Sequence, residues 1–223
     1  MNKQLFFQAI AKFTVGLAVM ALLLFLPAGT VRFPNGWLLI ALLFAPMFAA
    51  GLVMMARNPA LLQKRLNAKE QESEQKLVLA LSGVMFLAAF ITAGLNFRFG
   101  WITLPRWTVW TAAGIFLAGY AMYAEVLREN TYLSRTVEVQ ENQKVIDTGL
   151  YGVVRHPMYA ATLVLFLSMG IVLGSPISFA ILLLYIPIIA VRIRNEEKVL
   201  SQGLEGYDDY RKKVRYKVIP FIW

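Results

Sequence analysis

The chain has 223 residues, 58% of them hydrophobic and 16% charged, with a mean hydropathy of +0.58; ordinary soluble domains are about 25% charged, so a soluble globular domain is excluded and one integral membrane unit is left. The absence of cysteine excludes disulfides, thiolate zinc sites and a cysteine nucleophile, and a lone His argues against a transition-metal site. The net charge of +9 suits the ends of apolar segments and anionic headgroups better than nucleic acid.

Four long apolar segments come first: Leu5–Pro27, Trp37–Ala56, Leu77–Phe97 and Trp107–Leu127. Each is near the roughly 20 residues that a spanning helix needs. The first is too long for a signal-peptide core and is followed by no convincing small-x-small cleavage pattern, so it is expected to stay as a membrane helix. Trp37, Trp101, Trp107 and Trp110 stand at or near segment ends, as an interfacial aromatic belt requires. Between the second and third segments, Arg57–Lys76 carries Glu70, Glu72 and Glu74. Asn58-Pro59 marks a helix boundary there, and the rest reads as a solvated interfacial helix. Near the end of the fourth segment, Glu125 is costly in lipid, and Arg128 three residues on is its expected partner.

Thr131–Ile146 is polar with alternating character at Val137, Val139, Val145 and Ile146. A short extended segment is expected, whose main-chain N–H and C=O groups suit the edge of an adenine-like ring. It leads to the densest chemistry of the chain, Asp147 to Tyr159, which holds the only His. The residue before a proline avoids the helical region, so His156 is expected to be extended and Pro157 to open a helix at N1. Ala160–Val191 follows, almost wholly apolar except for Gly174-Ser175-Pro176. That turn cannot continue a helix and predicts two arms of about 16 residues, about 24 Å each, folded back on one another.

A hairpin returns its ends to one membrane face, so Arg155 and His156 are expected beside Arg192 and Glu196. The latter two, four apart, share a helix face. A guanidinium fork suits a substrate carboxylate, and a carboxylate suits a ribose diol or an ammonium; the pair reads equally well as a salt bridge. Glu196–Val214 is expected to continue as a polar helix and, with the basic run that ends in Pro220–Trp223, to form an amphipathic cap on the interface. The fold expected is all-α and polytopic, with five to six spans. A cytoplasmic N-terminus leaves only Arg32, Arg98 and Arg106 of the 22 Lys and Arg outside, which predicts both termini and the His156/Glu196 cluster on the cytoplasmic side. The natural division is 1–130, four spans, and 131–223, the hairpin block.

The pattern Thr-Gly-Leu-Tyr and Arg-His-Pro-Met-Tyr over 148–159, the apolar hairpin, Arg-x-x-x-Glu-Glu over 192–197 and Tyr-Asp-Asp-Tyr to Ile-Pro over 207–220 resembles the isoprenylcysteine carboxyl methyltransferase family. The resemblance covers about the C-terminal third. It implies S-adenosylmethionine as methyl donor, held by Gln143, Lys144, Val145 and Ile146 through their backbone and by Tyr151, His156, Pro157, Met158, Tyr159 and Glu196. Arg192 falls where the family contacts the substrate carboxylate, so Arg192 and Glu196 are the implied catalytic pair, with Glu197 ranked second. A lipid-soluble acceptor entering from the bilayer, no metal, no nucleic acid and a prokaryotic inner membrane complete the expectation. Phospholipid or small-amine methylation remains open, as does an NADPH-dependent sterol-type reductase, a group with Asn where this chain has Met158. A scaffold or transporter is also open, although transporters place polar groups near mid-membrane and here they gather at one face. His156 also reads as a satisfied structural residue.

Overall fold

The computed structural model describes residues 3–66, 73–133 and 139–223, with 64 and 73–75 given by helical backbone alone. The four apolar segments are α1 (Lys3–Ala28), α2 (Pro34–Arg57), α4 (Ser73–Phe99) and α5 (Arg106–Glu129). Pro34 starts α2 at a position where its missing N–H costs nothing. Asn58 ends α2, and its side-chain oxygen accepts from the Leu61 amide at 3.0 Å. The same residue therefore caps α3 (Pro59–Leu66), a helix within the stretch where one was expected. Glu70 and Glu72 lie outside the described residues, as does the side chain of Glu74. Lys12 Nζ donates to the Leu66 carbonyl at 2.5 Å, and the Arg65 guanidinium meets the Tyr123 hydroxyl, so α3 is tied to both α1 and α5. Glu125 pairs with Arg128 at 2.6 Å, as expected.

The hairpin is α6 (Pro157–Val172), α7 (Pro176–Leu182) and α8 (Tyr185–Gly203). Gly174 takes φ +71°, and the Ser175 hydroxyl caps α7 by accepting from the Ser178 amide at 3.2 Å. The returning arm differs from expectation in two ways. It breaks at Leu183-Leu184, because Pro187 offers no N–H to the Leu183 carbonyl and its ring crowds that group. It also runs past Glu197 to Gly203, so the single helix expected over 196–214 is divided. Gly206 at φ +80° turns the chain into α9 (Tyr207–Lys213).

Counting Pro176–Gly203 as one, five helices among the described residues are long and apolar enough to cross a membrane, and α6 is a shorter apolar helix. The chain is an all-helical polytopic membrane protein with no strand among the described residues. Of the stretch 131–146, expected to be extended, the described part is irregular with turns at 131–132 and 141–142, and Val137 lies outside the described residues.

Two apolar clusters organise the packing. The larger, with Leu24, Phe33, Phe116, Leu182 and Ile193 at its centre, joins the membrane helices. The smaller gathers Leu204, Tyr207, Tyr210 and Val214 against Val139, Val145 and Leu200. Within the hairpin, α6 and α7 touch backbone to backbone: a Cβ on Gly170 would lie 2.5 Å from the Phe179 nitrogen. At the turn end, buried Asn96 donates to the Ile102 carbonyl (2.9 Å) and the Gly174 carbonyl (3.4 Å) and accepts from the Ile102 amide (3.1 Å).

Candidate active site

The hairpin's other end carries the chemistry. A 3₁₀ turn, Gly149–Gly152, opens with Gly149 at φ +54°. The Thr148 hydroxyl bonds the Glu129 carboxylate. Tyr151 accepts from Asn130 Nδ2 at 2.8 Å, while its carbonyl accepts from the Tyr210 hydroxyl at 2.7 Å. The turn is thus held between the end of α5 and α9. Burial pushes the Tyr151 phenol up to about 12, so it stays protonated across neutral pH.

His156 precedes α6 with φ −124° and ψ 63°, out of the helical region as Pro157 demands. The amides of Arg155 and His156 donate to the carbonyls of Tyr216 (2.9 Å) and Lys217 (2.8 Å). The Arg155 guanidinium donates to the carbonyls of Val214 and Arg215, both at 2.8 Å. Residues 214–218 therefore form a strap across the start of α6, a link that the sequence reading missed.

The paired carboxylates separate into two tasks. Glu197, 6% exposed, meets Arg155 Nε at 2.8 Å, His156 Nε2 at 3.3 Å and Lys217 Nζ at 3.0 Å. A buried carboxylate is tolerated only when so surrounded, and Glu197 acts as the hub of the strap. Glu196 faces the other way and accepts from the Tyr159 hydroxyl, which in turn accepts from Arg192 Nε at 3.0 Å. Tyr159 thus bridges Arg192 and Glu196, and the His156 ring stacks on it at 5.7 Å between centroids.

These elements enclose a cleft whose empty volume, counted out to its mouth, is about 850 Å³. Gln143, Lys144, Val145, Ile146, Tyr151, His156, Pro157, Met158, Tyr159, Arg192 and Glu196 all line it. Glu197 is not in its wall. The cleft adds Asn130, Tyr132, Leu133, Arg155, Leu200, Leu204, Tyr207 and Tyr210. Of these, Tyr207 and Tyr210 belong to the segment that was expected to form an amphipathic cap.

Two features bear on what the cleft can hold. Lys144, Val145 and Ile146 make no main-chain hydrogen bond to another described residue, so their N–H and C=O groups are available along one wall. The Tyr207 hydroxyl is buried without a hydrogen-bond partner among the described residues. Burial first, and then the charges of Glu197 and Glu196, push this phenol far up, so it keeps its proton. An open amide edge, several aromatic faces, a carboxylate and a buried hydroxyl fit an adenosyl group carrying an amino-acid end. At the outer rim, Lys213 Nζ meets Asp147 at 2.7 Å and holds that carboxyl below its usual range.

Residues 111–202 match the model of the isoprenylcysteine carboxyl methyltransferase (ICMT) family. The matched segment runs from α5 to the end of α8, and α9 and the strap lie beyond it. The chain is also similar to a Delta(14)-sterol reductase of Methylotuvimicrobium alcaliphilum, 25% identical over 135 residues, which is 54% of this chain and 32% of that protein. It therefore spans about a third of that relative's length.

Proposed function

With the ICMT family found over residues 111–202 as premise, we propose that the chain is a membrane methyltransferase using S-adenosylmethionine, with a lipid-soluble, prenylcysteine-like carboxylate as acceptor. The observation that carries this reading is one cleft lined by the eleven residues that the resemblance implies for donor and acceptor, the second-ranked Glu197 lying outside it. Lys144, Val145 and Ile146 offer their main chain to the adenine edge, with Gln143 beside them. Tyr151, His156, Pro157, Met158 and Tyr159 form the wall, and Glu196 receives the ribose hydroxyls or the ammonium. Arg192 orients the acceptor carboxylate.

When bound, the cofactor supplies a sulfonium-activated methyl group. A carboxylate acceptor is already ionised near pH 7, so no side chain needs to act as a base. The residues' work is alignment and exclusion of water. Because the Tyr159 hydroxyl joins Arg192 to Glu196, one side chain sets the spacing between the acceptor side and the donor side. The acceptor enters from the bilayer, the cleft faces the cytoplasm of a prokaryotic inner membrane, and no metal takes part. Residues 1–130 serve as the lipid-embedded frame for the donor-binding block 131–223.

A second reading is favoured by the likeness to the sterol reductase: the same cleft would take NADPH. Equilibrium binding of S-adenosylhomocysteine and of NADPH to the purified protein separates the two. Binding of the former alone is expected, and binding of NADPH alone overturns the proposal. The roles then divide by variant. Arg192→Ala is expected to lower turnover on a lipid-soluble carboxylate roughly 100-fold with little change in S-adenosylhomocysteine affinity. Glu196→Ala is expected to weaken that affinity about tenfold or more, as loss of a hydrogen bond to a charged group does; the opposite division refutes the assignment.

A further inference from the structure

After α9 the tail passes from one apolar cluster to the other. Tyr210 and Val214 belong to the small outer cluster, whereas Val218 is buried in the membrane core and Trp223 packs against it. The tail thus descends to the level where the spanning helices begin. There it closes a tight turn: the Val218 and Ile219 amides both donate to the Trp223 carbonyl at 2.9 Å, and the Trp223 amide donates to the Ile219 carbonyl at 3.0 Å. The turn leaves Phe221 86% and Ile222 79% exposed, more than any other large hydrophobic side chain among the described residues. Phe221 adopts φ +65°, a left-handed conformation that a bulky side chain disfavours. Backbone strain that serves to present an aromatic ring to water is unfavourable twice over; against lipid the second term changes sign.

Charge points to the same occupant. Residues 207–223 carry Arg211, Lys212, Lys213, Arg215 and Lys217 against Asp208 and Asp209; Lys213 and Lys217 meet Asp147 and Glu197, Arg211 and Lys212 meet Asp208 and Asp209, and Arg215 beside them adds a further positive charge. A basic run beside an exposed apolar tip suits a leaflet of anionic phospholipid. The tip is also wired to the cleft, because the carbonyls of Tyr216 and Lys217 hold the amides of Arg155 and His156, and Lys217 Nζ holds Glu197.

We propose that Phe221 and Ile222 form a lipid wedge seated in the leaflet on the cleft's side, with the basic run over anionic headgroups, and that this seating holds the strap against His156. Only the cofactor-binding part of the test rests on the methyltransferase reading.

The chain has no cysteine, so a nitroxide can be placed by Ile222→Cys, with Gln202→Cys as an exposed polar control. In nanodiscs containing anionic phosphatidylglycerol, the label at 222 is expected to be open to oxygen and shielded from a water-soluble nickel chelate. Nickel access equal to that at 202 overturns the wedge, as does shielding that persists in detergent and follows protein self-association. Wild-type affinity for S-adenosylhomocysteine is expected to be several-fold higher in anionic than in neutral discs. Phe221→Gly relieves the left-handed strain and removes the ring. It is expected to keep or raise the thermal midpoint in detergent while abolishing the lipid dependence; a lowered midpoint would show a packing role instead. If the wild type binds no S-adenosylhomocysteine, the methyltransferase reading and the coupling to His156 fail together, while the label still decides whether the wedge enters lipid.

Discussion

The two ends of the α6–α8 hairpin handle polar groups in opposite ways. At the turn end the groups are neutral and mostly paired: Asn96 clasps Ile102 and Gly174, and Ser175 caps α7, while the fully buried Ser178 hydroxyl has no partner among the described residues. At the cleft end they are charged and knitted into a hub on Glu197, while the Tyr207 hydroxyl and the main chain of 144–146 have no hydrogen-bond partner among the described residues. Paired neutral groups fix a shape, at a net gain of about 1 kcal/mol per bond. A buried charge network holds only when complete, and the open groups beside it give a ligand something to satisfy.

The contrast can be broken most forcefully at its hub. Removing one partner from a buried ion pair costs about 3–5 kcal/mol, so Glu197→Ala is expected to lower the thermal midpoint markedly and to abolish S-adenosylhomocysteine binding. A variant as stable as the wild type would mean that the network contributes little. Tyr207→Phe should behave otherwise. The unpaired hydroxyl is lost without harm to the empty protein, so the midpoint stays or rises, while affinity falls about tenfold, or 1.4 kcal/mol. Calorimetry together with thermal unfolding tells the two variants apart.

Asn96→Ala probes the other end. It leaves the Ile102 amide without its acceptor and is expected to cost about 1–3 kcal/mol with ligand affinity unchanged; altered affinity would show that the two ends are coupled. The smallest effect belongs to the rim pair Asp147–Lys213. Its carboxyl is held low by the lysine, so the contribution is present above the ordinary carboxylate range and lost as pH falls through the lowered value. Hydrogen-exchange protection over 143–148, taken relative to the intrinsic rate at each pH, should stay flat from neutral to mildly acidic pH and fall only in strong acid or high salt. Asp147→Asn should remove the acid step.

Most of the frame was legible because length and hydropathy alone specify a spanning helix, and Gly174-Ser175-Pro176 announced the hairpin. The break at Leu183-Leu184 was passed over because Pro187 is itself apolar and sits inside an apolar run. The cleft was legible where the family resemblance marked it, over 143–146 and at Tyr151 and 156–159, and at Arg192 and Glu196, whose charges and spacing mark them as well. The strap was not, since its acceptors are main-chain carbonyls of Val214 to Lys217, which leave no trace in side-chain identity. The Glu196-Glu197 doublet was ambiguous for a geometric reason. Adjacent helical residues point about 100° apart, so one carboxylate meets the cleft and its neighbour meets the strap. Tyr207 and Tyr210 read as apolar spacing because periodicity registers a ring and is blind to its hydroxyl.

The backbone contact at Gly170 and Phe179 has a mechanical consequence. It lies 13 residues from Pro157, about 20 Å along α6, and sets how closely α6 approaches α7, the arm that leads through Leu183-Leu184 into α8 and Glu196. An added methyl group there would push the two arms apart at the turn. The spacing of the hairpin is thus set far from the cleft, by a residue that has no side chain at all.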